Sequence, residues 1–237
     1  MKKAGLFCLL LLMMITAGAQ KFVISDAHAE LRPTAPFTGV RISSAIDLYL
    51  SQGDETGVAV SAEDPAVRDR IKTEVKDGEL HIWFDGQNWK NWRGNKNMKA
   101  YVSVKTIESL KASGASDIKL MGKIRADKLA VDLGGASDLN GELECKTLEM
   151  DISGASDLTI SGNIGATSMR LRGASSVKSW GLATDYCEVD VSGASSVNVI
   201  VNKELNVKAS GASDVRYKGD GVIKEMKTSG ASSVSKK

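Results

Sequence analysis

Four aspartates form the most regular array of ionisable groups in the sequence. Asp117, Asp138, Asp157 and Asp214 each close a Gly-Ala-Ser-Asp tetrapeptide, and Ser176, Ser196 and Ser233 close further copies as Gly-Ala-Ser-Ser. A line of carboxylates could bind calcium, or do the acid and base work of a polysaccharide-cleaving enzyme if two of them had separated pKa values. The competing role is structural: each side chain hydrogen-bonds the backbone of its own turn, which Asp and Ser both do. Free exchange of Asp for Ser favours the turn, and the tandem nine-residue Gly-Gly-x-Gly-x-Asp calcium pattern is missing. These aspartates are therefore expected to be structural. No catalytic residue, metal site or cofactor is expected anywhere in the chain.

The second concentration of chemistry runs from Trp83 to Lys99. It holds three of the four tryptophans among amides and cations, with no acid after Asp85. Aromatic faces beside amides suit stacking on sugar rings, and the cations would also suit anionic glycans. Trp89, Asn91, Trp92 and Arg93 are the candidate ligand-binding residues. The alternative is a hydrophobic plug, with Trp89 or Trp92 folded back over the end of a core. His28 and His81 are the only histidines and stand in no triad or metal pattern. No Gly-x-Ser-x-Gly elbow, zinc motif or phosphate loop is present.

The elements that position these groups follow from a repeat. The tetrapeptide opens at Gly114, Gly135, Gly154, Gly173, Gly193, Gly211 and Gly230, at spacings of 21, 19, 19, 20, 18 and 19 residues. A fixed period near twenty marks a solenoid, whose units bury their apolar faces only against each other. Two residues before these glycines stand Ala112, Leu133, Ile152, Leu171, Val191, Ala209 and Thr228. Four before stand Leu110, Val131, Met150, Met169, Val189, Val207 and Met226. The alternation has period two, hence a strand with one buried face. The position after each Asp or Ser is again apolar, from Ile118 to Val234, so each coil is expected to hold a strand before the turn and a shorter one after it.

The leucine-rich repeat string is absent, which leaves an all-β, single-stranded parallel β-helix with coils of about 19 residues. In-register stacking can be tested on charge. The column three before the glycines reads Lys111, Asp132, Asp151, Arg170, Asp190, Lys208, Lys227, in which four of the six neighbour pairs are opposite in sign. Opposite charges across adjacent strands are favourable. The uniform Ala and Ser columns mark a tight corner where only small side chains stack.

The chain begins with Lys2 and Lys3, the apolar run Leu6 to Ile15, and Ala17-Gly18-Ala19. This is a secretory signal peptide over 1–19, cut before Gln20. No later segment is apolar enough to span a membrane, so the protein is expected to be exported, to the periplasm, cell surface or medium. Without Lys2 and Lys3, the 31 Lys and Arg fall to 29 against 29 Asp and Glu, which argues against nucleic acid as a partner. Cys145 and Cys187 fall two coils apart, roughly 10 Å, beyond disulfide reach, and are expected to be free.

Residues 20–111 are expected to form a β-rich lead-in and cap, and 112–237 the repeats. Ile42 to Leu50 aligns with Ala112 to Leu120, apolar on apolar, as a degenerate coil. Gly57 to Ser61 reads as a strand, Asp64-Pro65 as a helix start, and Lys76-Asp77-Gly78 as a hairpin turn. At the other end the last repeat stops at Lys237, leaving a strand edge that either Lys236 and Lys237 blunt or a second copy pairs with.

Phe37-x-Gly39-Val40-x-Ile42, Lys72-Thr73-Glu74-Val75-x-Asp77-Gly78-Glu79-Leu80-x-Ile82 and Leu110-Lys111-Ala112-Ser113-Gly114-Ala115-Ser116-Asp117 together resemble the head GIN domain family of putative auto-transporter adhesins. The resemblance runs from about Phe37 onward and departs at Leu133-Gly134-Gly135 and Leu171-Arg172-Gly173, which lack the Ser before the glycine. It implies a β-helical fold and an adhesive role, and supplies no catalytic residues. No translocator barrel is seen. The expected function is thus a non-enzymatic, exported cell-envelope or surface binding protein that presents loops to a glycan or protein. Its alternatives are a carbohydrate-active enzyme on a β-helix and a structural protein assembling through its open edge.

Overall fold

A computed structural model describes residues 24–87 and 97–237. The expected signal peptide lies outside the described residues. The N-terminal part comprises β1 (Glu30–Arg32), β2 (Gly39–Ile42), β3 (Asp47–Gln52), β4 (Gly57–Ser61), α1 (Pro65–Arg68), β5 (Ile71–Lys76), β6 (Glu79–Phe84), β7 (Lys99–Val104) and β8 (Ser109–Ala112). The repeats form β9 (Ile118–Leu133), β10 (Leu139–Ile152), β11 (Asp157–Leu171), β12 (Ser176–Val191), β13 (Ser196–Ala209), β14 (Asp214–Lys218), β15 (Val222–Thr228) and β16 (Ser233–Lys236). Strands β9 to β16 pair in parallel with one another, residues opposite their counterparts one coil on except where the register shifts in the β9–β10, β11–β12, β12–β13 and β13–β15 ladders. The architecture is the stacked-coil β-solenoid that the repeat period implies.

The apolar columns fill the interior. Leu133, Ile152, Leu171 and Val191 are fully buried, as are Leu139, Leu158, Val177, Val197 and Val215 on the far side of the turns. The charge column stacks as aligned: Lys111 faces Asp132, Asp151 faces Arg170, and Asp190 faces Lys208. Arg170 and Arg172 both reach Asp151, at 3.5 and 3.1 Å.

One expectation changes. The two strands anticipated in each coil are a single strand of 14 to 16 residues from β9 to β13. The chain turns the corner without leaving the sheet, through glycines with positive φ such as Gly122, Gly141 and Gly162. A Cβ on Gly162 would stand 1.8 Å from the Leu143 carbonyl oxygen, so the corner admits no side chain there.

At the N-terminal end Ile42 faces Ala112, Leu48 faces Ile118 and Leu50 faces Leu120. Residues 39–52 thus make the coil that stacks on the first repeat. Strands β6 and β7 stack in parallel on the outer side of that coil, against β2 and β3. The sheet then reverses, with β5 antiparallel to β6, β4 to β7 and β1 to β4. The Asp77-Gly78 turn joins β5 to β6 with φ of 52° and 75°, and Asp64 caps α1 by accepting from the Ala66 amide at 2.8 Å.

Candidate functional site: the turn corner and its polar columns

Each turn glycine is held in the left-handed region, with φ between 71° and 85° from Gly114 to Gly230. Its carbonyl accepts from the amide of the alanine one coil on, as in Ala155 to Gly135 and Ala174 to Gly154, both 2.8 Å. The backbones approach so closely that a Cβ on Gly154 would lie 2.2 Å from the Gly135 oxygen.

The within-turn hydrogen bonds come from a different residue than the one the sequence points to. The serine before each Asp or Ser faces inward, and Ser116, Ser137, Ser156 and Ser213 are fully buried. Its hydroxyl donates to the carbonyl three residues back: Ser137 to Gly134 at 3.0 Å, Ser156 to Ser153 at 3.2 Å, Ser213 to Ser210 at 2.7 Å. The same oxygen accepts from the preceding coil, as when the Ser137 amide donates to Ser156 Oγ at 3.3 Å. A short side chain pointing into the corner reaches these atoms. A carboxylate on the outer side of the strand does not.

The aspartate column instead works between coils. The Asp157 amide donates to Asp138 Oδ1 at 3.1 Å, Ser196 Oγ bonds Ser176 Oγ at 3.1 Å, and Ser233 Oγ donates to Asp214 Oδ1. Asp157 is paired with Lys178 at 2.6 Å and Asp214 with Arg216 at 3.0 Å. Asp117 has its pKa raised, first by burial and then by the charges of Asp47 and Asp138 on either side. Among the described residues no group of three or more His, Cys, Asp or Glu could hold a metal ion.

Trp89, Asn91, Trp92 and Arg93 lie outside the described residues. The strands that bracket them, β6 and β7, are placed: Trp83 sits in the β5–β6 ladder opposite Lys72, half-buried. His81 donates to Glu79 at 2.9 Å, and Glu79 also takes Arg41 at 2.7 Å and Lys111 at 2.5 Å. Burial pushes the Glu79 pKa up, but the bonds from Lys111 and Arg41 outweigh it and hold the carboxyl below its ordinary 4.5. Tyr101 and Tyr49 stack at 5.1 Å on adjacent coils, with Lys119 of the next coil 5.3 Å above the Tyr49 ring. The fourth tryptophan, Trp180, stands apart from the Trp-rich segment and is exposed on β12. Cys145 and Cys187 are free and buried in the core, and burial raises their thiols to about 11 and about 12.

The fold is a parallel β-solenoid whose polar columns hydrogen-bond from coil to coil. The chain belongs to the family described as "Putative auto-transporter adhesin, head GIN domain", whose model matches residues 36–221. In solved structures it is similar to a putative adhesin from Bacteroides fragilis, at 18% identity and a TM-score of 0.78 over 88% of this chain and 95% of that one. A putative adhesin from Parabacteroides distasonis shares 20% identity with a TM-score of 0.69 over 88% and 95%. A putative lipid binding protein from the same organism shares 16% with a TM-score of 0.64 over 89% and 97%. At these identities the likeness shows the fold alone. Among curated proteins the chain has no match.

Proposed function

We propose that this is an exported, non-enzymatic binding protein of the cell envelope or surface, a β-helical rod that displays side chains to a glycan or protein partner. The observation that carries it is the use of the repeat's polar groups. Buried serine hydroxyls and the aspartate column bond coil to coil, so the conspicuous array of ionisable groups builds a stiff scaffold, and recognition is left to outward positions. The family description as putative adhesins supports the same reading. The test is adhesion of the chain from Gln20 onward to cultured cell layers, together with a glycan array, with a Trp89→Ala and Trp92→Ala double variant confirmed folded. Specific binding lost in that variant assigns the ligand to the Trp-rich segment. Absence of adhesion to any surface would remove the reading.

A second reading, assembly of copies, is favoured by the last coil. Among the described residues strand β15 pairs with β13 alone and β16 with β14 alone, and Val222 and Met226 of β15 are 55% and 54% exposed. An antiparallel β15 pair would set Ile223 against Met226 and Lys224 against Glu225. Sedimentation that stays monomeric over a wide concentration range would exclude it.

A further inference from the structure

The coils differ in length, and the differences collect at one corner of the rod. Between β9 and β10 the register steps from Lys119 opposite Asn140 to Lys123 opposite Glu142, so Leu120 to Gly122 bulge against Gly141 alone. Strands β10 and β11 then run level, with Asn140 facing Thr159 and Glu142 facing Ser161. Between β11 and β12 the register steps from Leu158 opposite Val177 to Ser161 opposite Gly181, so the three residues Lys178 to Trp180 bulge against Thr159 and Ile160, and on the far side Ser179 to Leu182 stand against Val199 of β13 alone. Two level coils therefore lie between two raised ones. The result is an open trough of about 560 Å³ with Leu120 and Gly122 on one side, Trp180 and Gly181 on the other, and Asn140 and Thr159 on its floor. Three coil steps make it roughly 14 Å long.

The bulge aims Trp180. Ser179 is fully buried and its Oγ accepts from the Ile160 amide at 3.2 Å, so the next side chain must point outward. Lys218, two coils further on, sits 4.6 Å from the Trp180 ring centroid. Lys218 thus covers one face of the indole, and Trp180 lines the trough from the β12 side. The charges at the rim are neutralised in pairs, Lys178 with Asp157 at 2.6 Å and Glu142 with Lys123 at 2.9 Å. Asn140 and Thr159 are exposed. Apart from Lys218 behind the indole, the rim charges are paired, and an apolar ring face beside an amide and a hydroxyl matches a neutral sugar, which has an apolar ring face and a rim of hydroxyls.

We propose that this trough is a saccharide-binding site, which stacks a neutral pyranose on Trp180 and bonds its hydroxyls through Asn140 and Thr159. The inference rests on reading the protein as a displayed binding protein, and it places the ligand on the rod and not in the Trp-rich segment. The probes are oligomers of glucose, mannose, galactose and N-acetylglucosamine on an array, followed by titration of the best-bound oligomer. Trp180→Ala weakens binding roughly tenfold or more, Trp180→Phe keeps most of it, and Asn140→Ala weakens it less than Trp180→Ala. Thr159→Trp, which fills the trough from an exposed position, abolishes binding. All variants are checked for an unchanged melting temperature. Parent-like binding by Trp180→Ala and Thr159→Trp overturns the site. Failure of the parent to bind any oligomer also overturns it, and adhesion to cells that survives glycosidase treatment then leaves the binding-protein reading standing on a protein partner. No adhesion to any surface removes both.

Discussion

The turn glycine is fixed twice over, by its dihedral angle and by the carbonyl beneath it. Gly154 has φ of +83°, and an added Cβ would meet the Gly135 oxygen at 2.2 Å and the Gly135 amide nitrogen at 3.0 Å. Gly154→Ala therefore suffers both the left-handed penalty and a backbone clash, and should lose roughly 3 kcal/mol in denaturant unfolding. The coil at residues 39–52 offers the opposite change. There Ser44, φ 69°, occupies the position of the repeat glycine, and Ser44→Gly should gain about 0.5–1 kcal/mol in the same measurement, the relief of strain outweighing the entropy of glycine. Glu79 supplies a pH dependence. Its carboxylate is favoured by the fold, so the unfolded chain takes up its proton first on acidification. The stabilisation is complete above 4.5 and is lost as pH falls through the lowered folded value. Glu79→Gln should melt below the parent at pH 7, with the gap closing toward pH 3.

At the scale of elements, what could be read in the sequence was whatever repeats. Period-two alternation located the buried columns, and alignment of Ile42 with Ala112 and Leu50 with Leu120 is the register of the sheet itself. Two things were missed. The corner glycines Gly122, Gly141 and Gly162 stand at unequal distances from their turns, so no column announced that the strand continues around the bend. Asp was also more conspicuous than the serine before it, yet the serine faces inward and closes the turn, because inward or outward direction is set by strand parity and not by polarity. The signal for the Trp180 trough was present in the unequal spacings, 21 and 20 against neighbours of 19 and 18: an extra residue in a stacked coil has to bulge. Strand parity also put Cys187 in the core. With the Cys145 and Cys187 thiols held protonated to about 11 and about 12, native protein should resist iodoacetamide at pH 8, and unfolding should expose both cysteines to labelling by intact mass.

Across the whole molecule, each coil touches only its neighbours, so stability is a sum of interface terms along the stack. The two ends are unequal. Toward the N-terminus the parallel coils run into antiparallel strands, β4 on β7 and β5 on β6, and Val58, Val60 and Ile71 there are as buried as any repeat position. Toward the C-terminus β15 has one neighbour among the described residues, and the interior columns thin to Met226 and Thr228, both exposed. Opening should therefore start at β15 and β16 and travel inward, coil by coil. Native-state hydrogen exchange read by peptide should rank β15 and β16 first, then β13 and β14, with β10 and β11 slowest. Val207→Ala, a cavity beneath β15, should speed exchange in β13 and β15 while leaving β3 and β9 unchanged. Uniform acceleration over the rod would mean a single cooperative unit. A graded response would instead show that Trp180, on β12 three coils before β16, sits in a coil that opens after β13 to β16.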